Sequence, residues 1–473
     1  MAALRLPRKP IKTQTQTLTR LITTTTTTTQ SIPTETLNFE SGDTPFTSLR
    51  TTHLLKSLLH LHLVTFDPLV DVGIRVMRSG LMDNPLTRKP LLAAIKATVY
   101  DHFCAGEDLR EANRTLQGLW EDGLRGILDY GLEDAADNDG CDRNLKEFLK
   151  TVEATKSLPP SSVSFACVKV TAICPIGLLE RVSDLLRWER KEPSFQLPWK
   201  LHSLPVLLDS SPLYHTLSKP ELLTEIEESD LKLAHDRLSK LCEACVGAGL
   251  PLLVDAEYTS VQPAIDYLVY AAAMEFNRED EPIVYGTVQA YLRDAKQRMV
   301  SAMEAAEREG VSLGFKLVRG AYISRETALA SSLGVASPIH GSIRETHECY
   351  DECASFMLER VARGRGSVVL ATHNVDSGRI AAARAEEFGI GKGNPRLQFA
   401  QLKGMADALS LGLRNAGFMV SKYLPFGPVE QVMPYLLRRA EENRGILSSS
   451  ALDRQLIRRE LTRRLKQGMS GRE

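Results

Sequence analysis

PIVYGTVQAYLRDAKQRMVSAMEAAEREGVSLGFKLVRGAY, residues 282–322, holds a whole strand–helix–strand unit. PIVYGTVQAY (282–291) and GFKLVRGAY (314–322) are short apolar strand candidates with polar ends. Between them runs a stretch with apolar residues at helical spacing. Working outward, six more such runs appear: RGILDYGLE (125–133), SFACVKVTAI (164–173), LPLLVDAEY (250–258), SVVLATHN (367–374), LQFAQL (397–402) and GFMVSKYLPF (417–426). Amphipathic helical stretches such as SGRIAAARAEEFG (377–389) lie between most of them. Strands that are apolar throughout belong to a parallel sheet covered on both faces, and eight such units imply closure. The fold expected is therefore α/β, a (β/α)8 TIM-like barrel. A doubly wound open sheet is the alternative, but it usually has fewer strands. No internal repeat is evident.

TTHLLKSLLHLHLV (51–64) and LTRKPLLAAIKATVYDHFCAG (86–106) repeat apolar residues at helical spacing, which predicts a helical arm over 45–120 ahead of a barrel over 121–473. Residues 178–241 are long for a single crossover and include KEPSFQLPWK (191–200), so they read as a helical insertion with loops. Residues 1–35 differ: Arg5, Arg8, Lys9, Lys12 and Arg20 stand among many threonines, and no acidic residue precedes Glu35. That composition is the profile of a mitochondrial transit peptide, and it lacks the apolar core of a secretory signal. A disordered polar tail is the alternative, and the charge bias favours targeting over it.

The 473 residues are 43% hydrophobic and 25% charged, with a net charge of −1, which gives no general reason to expect nucleic acid or anionic lipid as a partner. No apolar run can span a bilayer, so a membrane role would be peripheral. The eight cysteines are scattered, unlike a secreted disulfide framework. Cys242 and Cys245 form a lone CxxC inside a helical pattern and read as two half-buried thiols, and HECYDEC (347–353) is no better a metal site.

In such barrels chemistry sits at the C-terminal ends of the strands. Asp129, Lys169, Asp255 with Glu257, Gln289, Lys316 with Arg319, His373 with Asn374, and Tyr423 all fall there. Any one of them could be an ordinary strand-end residue; so many polar groups converging on one mouth is harder to dismiss. The last strand runs into YLPFGPVEQVMPYLLRRAEENRG (423–445), whose helix should be regular from Pro434 and cap the mouth. Tyr435, Arg438, Arg439 and Glu442 are spaced to share one face. That face is either solvated or a guanidinium clamp for a carboxylate. No GxGxxG follows a strand, which argues against a Rossmann-type site.

The segments HFCAGED, ILDYGLE, VKVTA, LLVDAE, KLVRGAY, THN, QLKGM and YLPFGPVEQVMPYLLRRAEEN occur in order. With them, residues from about 100 to 460 resemble the proline dehydrogenase family, in its eukaryotic mitochondrial, fungal-like branch. The resemblance implies a barrel holding FAD noncovalently and oxidising L-proline to Δ1-pyrroline-5-carboxylate. It also implies that electrons pass to quinone, and that the enzyme lies peripherally on the matrix side of the inner mitochondrial membrane. Carried over residue by residue, Arg438, Arg439 and Lys169 would grip the proline carboxylate, and Asp255 would sit beside Lys169 and Arg438. Leu402, Tyr423 and Tyr435 would wall the ring. Ala256, Gln289, Lys316, Arg319, Gly320, Ala321, Tyr322, Thr372, His373, Asn374 and Glu442 would face the flavin. Asp255, Lys316 and Tyr423 would be the catalytic set, and no metal is implied. Where bacterial members commonly read R-x-V-K-G-A-Y, this chain reads Lys316-Leu317-Val318-Arg319-Gly320-Ala321-Tyr322, with the two cations exchanged. The family's hydroxyproline-preferring branch tends to carry a smaller residue at the Tyr423 position.

Hydride loss from the carbon beside nitrogen needs a neutral amine, and a cation-rich pocket disfavours the protonated one. A related barrel flavoenzyme that reduces methylenetetrahydrofolate would not explain the paired arginines. A Schiff-base aldolase using Lys169 or Lys316 would be trapped by borohydride and would not be yellow. A non-catalytic flavin or proline sensor would not need every catalytic position filled.

Overall fold

Each of the eight apolar runs forms a strand: β1 (Arg125–Tyr130), β2 (Val163–Val168), β3 (Leu252–Val254), β4 (Val284–Gln289), β5 (Gly314–Val318), β6 (Ser367–Ala371), β7 (Leu397–Leu402) and β8 (Val420–Phe426). This is the geometry of a computed structural model, which describes Leu37 and residues 45–470 except 64, 65, 78, 278–280 and 444–446. All pairings are parallel, and β1 pairs with β8 (Ile127 opposite Tyr423), which closes the barrel. All seven residues of β8 are buried, since one face fills the barrel and the other meets helices. Even its polar residues have partners: the Ser421 and Ser164 hydroxyls lie 2.8 Å apart, and Lys422 pairs with Asp407 at 2.6 Å.

The arm consists of α1 (Thr51–Leu63), α2 (Asp67–Met77), α3 (Pro85–Ile95), a π-helical turn at Lys96–Tyr100, the single turn α4 (Asp101–Phe103) and α5 (Leu109–Glu121). Asp108 caps α5 by accepting from the Glu111 amide at 2.9 Å. The same segment is tied to the end of β8: the Ala105 amide donates to the Pro425 carbonyl, and the Gly427 amide to that of Gly106. HFCAGED is thus structural, a clasp between arm and barrel. Leu116 of α5 packs over β1 and β8, and a Cβ at Gly126 would lie 2.5 Å from it. Residues 1–35, read as a leader, lie outside the described residues.

The helical layer comprises α6 (Asn138–Thr155), α7 (Ile176–Lys191), α8 (Glu225–Ala248), α9 (Gln262–Phe276), α10 (Ala295–Glu309), α11 (Ile323–Ser332), α12 (Ile343–Ala362), α13 (Val375–Glu387) and α14 (Asp407–Asn415). After β8 come α15 (Met433–Asn443) and α16 (Leu447–Ser470). The stretch read as a helical insertion with loops over 178–241 takes in most of α7, the irregular connection 192–224 and most of α8, and both helices are barrel wall. Leu179, Val182 and Leu185 of α7, and Leu231, Leu238 and Leu241 of α8, belong to the main core. Only the connection between these helices, 192–224, lacks regular structure. Cys242 and Cys245 are fully buried on α8 rather than half-buried. Among the described residues no cluster of His, Cys, Asp and Glu could hold a metal, and no helix is long and apolar enough to cross a membrane.

Candidate active site

Closure of a parallel barrel brings the C-terminal ends of all eight strands to one mouth. Inside it, Ile127, Phe165, Leu253, Tyr285, Val369 and Ala400 fill a lower apolar layer together with Cys167 and Tyr423. Upon this layer stands a buried ionic hub. Asp255, just past β3, accepts from Lys169 at 3.2 Å and from the Tyr423 hydroxyl at 2.7 Å, and also pairs with Lys316 of β5. The Cys167 thiol donates to its other side at 3.2 Å, and Asp129 of β1 lies 3.6 Å from Lys169. Burial alone would raise the Asp255 carboxyl, but Lys316 and Lys169 hold it well below the usual carboxylate range. Burial likewise opposes charge on Lys169, yet Asp129 and Asp255 keep it well above its ordinary value. Lys316 is raised too, by Asp255, and its ammonium lies 5.1 Å from the centre of the Tyr423 ring. Sequence reasoning set Asp255 beside Lys169 and Arg438; its two cations are Lys169 and Lys316.

At the next strand ends, Arg319 is pinned by three side chains. It donates to the His347 ring (2.9 Å), the Thr372 hydroxyl (2.6 Å) and the Ser377 hydroxyl (2.7 Å), and it stacks on Tyr350. The other positions expected to face a flavin divide by what already occupies their polar atoms. The Gln289 amide donates to the Glu257 carbonyl at 2.7 Å, and Asn374 caps α13 through the Ser377 amide at 2.9 Å. His373 accepts from the Leu402 amide at 3.1 Å; burial, then Arg439, push its pKa down to about 3, so the ring is neutral. Ala256, Gly320, Ala321 and Tyr322 are half-buried at the mouth, and Thr372 is buried. The side chain of Glu442 lies outside the described residues.

The roof is α15. Tyr435 and Leu436 pack with Ile95, Tyr100, Phe103 and Met405, so the arm and the β7–α14 loop hold the helix over the mouth. Leu402 touches both this cluster and the barrel interior around Tyr423. A wall of Tyr423, Leu402 and Tyr435 therefore runs from floor to roof. Tyr423 belongs to the interior and not to the underside of α15. Arg438 makes a bidentate ion pair with Glu133 (2.9 and 3.0 Å) and lies 5.6 Å from the Tyr322 ring centre. Arg439 is buried, with its guanidinium 5.2 Å from the Tyr435 ring centre.

Three participants were not assigned from sequence: Glu133, Cys167 and the carboxyl of Glu257. Glu257 accepts from the Thr171 amide (3.2 Å) and hydroxyl (2.8 Å), and burial pushes its pKa up to about 8. A carboxyl raised on folding contributes stability that is complete below its unfolded pKa of about 4.3 and lost as pH rises through the folded value. Unfolding free energy should therefore fall, on the order of a few kcal/mol, between about pH 4.5 and pH 8. Glu257→Gln should flatten that slope in urea titrations; an unchanged slope would show that Glu257 is ionised in the native protein.

The proline dehydrogenase family profile matches residues 112–451. Proline dehydrogenase 1, mitochondrial, of Arabidopsis thaliana is 55% identical over 428 residues, covering 90% of this chain and 86% of the relative. Proline dehydrogenase 2, mitochondrial, of the same plant is 51% identical and covers 94% of both. Both are plant proteins, not fungal ones. Human hydroxyproline dehydrogenase is 34% identical over 92% of this chain and 95% of its own length. Among solved structures, proline utilization A from Bdellovibrio bacteriovorus inactivated by N-propargylglycine superposes with a TM-score of 0.60. It covers 88% of this chain and 41% of that one at 21% identity, a likeness of fold.

Proposed function

The chain belongs to the proline dehydrogenase family, and we propose that it oxidises L-proline to Δ1-pyrroline-5-carboxylate, the first step of proline breakdown, using a noncovalently held FAD. The observation that carries the reading is the buried Lys169–Asp255–Lys316–Tyr423 hub at the strand ends, with the paired arginines on the helix that follows the last strand. It is a flavin-dependent enzyme, and the residues present suit such a cofactor. Lys316 and Arg319 put two cations on one strand end, where an electron-rich ring and a diphosphate need them. Beside them the chain turns at Gly320 (φ 132°), pressed so close to Tyr291 that a Cβ would lie 2.5 Å from its ring. Ala256, Gln289, Ala321, Tyr322, Thr372, His373, Asn374 and Glu442 would complete that contact. When bound, the flavin supplies the two-electron acceptor for the hydride.

The protein's part is binding, orientation and charge. Arg438 and Arg439 would hold the proline carboxylate, with Lys169 as a third cation. Glu133 takes two of Arg438's N–H groups and so fixes the direction in which the guanidinium points. Gathered cations favour the carboxylate and disfavour a protonated amine, so proline reacts with its nitrogen lone pair available. Asp255 fixes Lys169, Lys316 and Tyr423 relative to one another. Mitochondrial location follows the two plant relatives, with residues 1–35 as the address. Electrons would leave to quinone from a peripheral position on the matrix face of the inner membrane.

Tyr423 should set ring selectivity, because its ring fills the floor where an added hydroxyl would project. Tyr423→Ser should lower kcat/KM for proline by about 1–3 kcal/mol and spare 4-hydroxyproline. The test is the ratio of kcat/KM for the two substrates with a soluble electron acceptor. An unchanged ratio would remove Tyr423 from the substrate pocket.

A further inference from the structure

α1 and α16 lie side by side and antiparallel. Arg464 donates to the Thr51 hydroxyl at the start of α1 (2.8 Å), and Arg458 to the His62 ring near its end (2.7 Å). The core accounts for only one face of each helix. α1 turns Leu54 and Leu61 inward, while Leu55 and Leu59, one turn apart, are 54% and 60% exposed. α1 contains no acidic residue. α16 contains two, and both point inward: Asp453 caps α14 through the Asp407 and Ala408 amides, and Glu460 pairs with Arg463 and Arg464. Among their described residues, then, no acid faces outward: Lys56, Arg458, Arg459 and Leu465 (69%) are exposed, together with neutral polar residues such as Thr52 and Gln455.

We propose that this α1–α16 ridge is the face on which the protein lies against an anionic lipid bilayer. Leu55 and Leu59 enter the headgroup boundary, and Lys56, Arg458 and Arg459 meet lipid phosphates. The inference rests on the peripheral-membrane reading above and gives it a place. Single exposed leucines are ordinary, but a leucine pair one helical turn apart among cations, with acids withdrawn, is the pattern of an interfacial helix. An acidic protein would match the cations yet would need its own apolar complement for the leucines. An anionic bilayer offers both everywhere along its surface.

Sedimentation of the full-length holoenzyme with vesicles tests this, using phosphatidylcholine alone and phosphatidylcholine mixed with phosphatidylglycerol. The wild type should bind the anionic vesicles. Leu55→Ser/Leu59→Ser and Lys56→Gln/Arg459→Gln should each weaken binding by at least about tenfold. Proline oxidation with a soluble acceptor should be unchanged in both, which separates this face from the catalytic reading. Wild-type binding that both double variants retain would place the membrane face elsewhere. No binding to either vesicle would overturn the peripheral-membrane reading with it, leaving proline oxidation standing. Leucine-dependent self-association without lipid, or binding to polyglutamate in preference to anionic vesicles, would assign the ridge to a second copy or an acidic protein and overturn the proposal.

Discussion

Asp255→Ala should destabilise the protein by about 3–5 kcal/mol and abolish proline oxidation, because it strips the shared carboxylate from two buried ammonium groups. Lys169, Lys316 and the Tyr423 hydroxyl all converge on Asp255, and the Cys167 thiol donates to it as well. Burial keeps the remaining cations from recovering their hydration, so the loss reflects uncompensated charge more than a missing contact. That cause predicts a partial rescue. Asp255→Ala/Lys316→Met removes one orphaned cation and should recover part of the stability while activity stays lost. Thermal unfolding of the two variants checks the order. A single variant as stable as the wild type would mean that water already reaches the hub.

The second large effect lies in the roof. Arg438→Met or Arg439→Met should mainly raise KM for proline, by about 2–5 kcal/mol of lost charge-assisted hydrogen bonding, with flavin content little changed. Glu133→Gln leaves the Arg438 guanidinium present but less firmly aimed, so KM should rise by less than in Arg438→Met. Wild-type KM in both arginine variants would reduce the pair to a structural helix face. Equal effects of Glu133→Gln and Arg438→Met would make the ion pair itself, and not the guanidinium, the element that matters.

The strands were legible because strands buried on both faces are apolar throughout, and RGILDY or SVVLA needs no alternation to be recognised. The polar residues that end these runs then marked the mouth, since barrel closure brings strand ends together wherever they fall in the sequence. Within 178–241 the proline-bearing connection at 192–224 hides, in the sequence, that the helices on either side of it are successive wall helices. α7 and α8 are ordinary wall helices with buried leucines. Glu133 was quoted within ILDYGLE but could not be matched with Arg438, which lies 305 positions away on a helix whose tilt depends on the arm. Glu257 was visible only as one more strand-end carboxylate; that it faces Thr171 in a dry site is a property of packing. Cys167 carries no periodic signal separating a core thiol from one that donates to a carboxylate.

The most direct test of proline oxidation at this site is the visible spectrum of the purified protein, incubated with FAD and freed of excess, before and after proline is added without oxygen. The account predicts a yellow protein whose flavin bands bleach on adding proline and return when an electron acceptor is supplied. A protein that retains no flavin, or whose bands proline leaves unchanged, would contradict it.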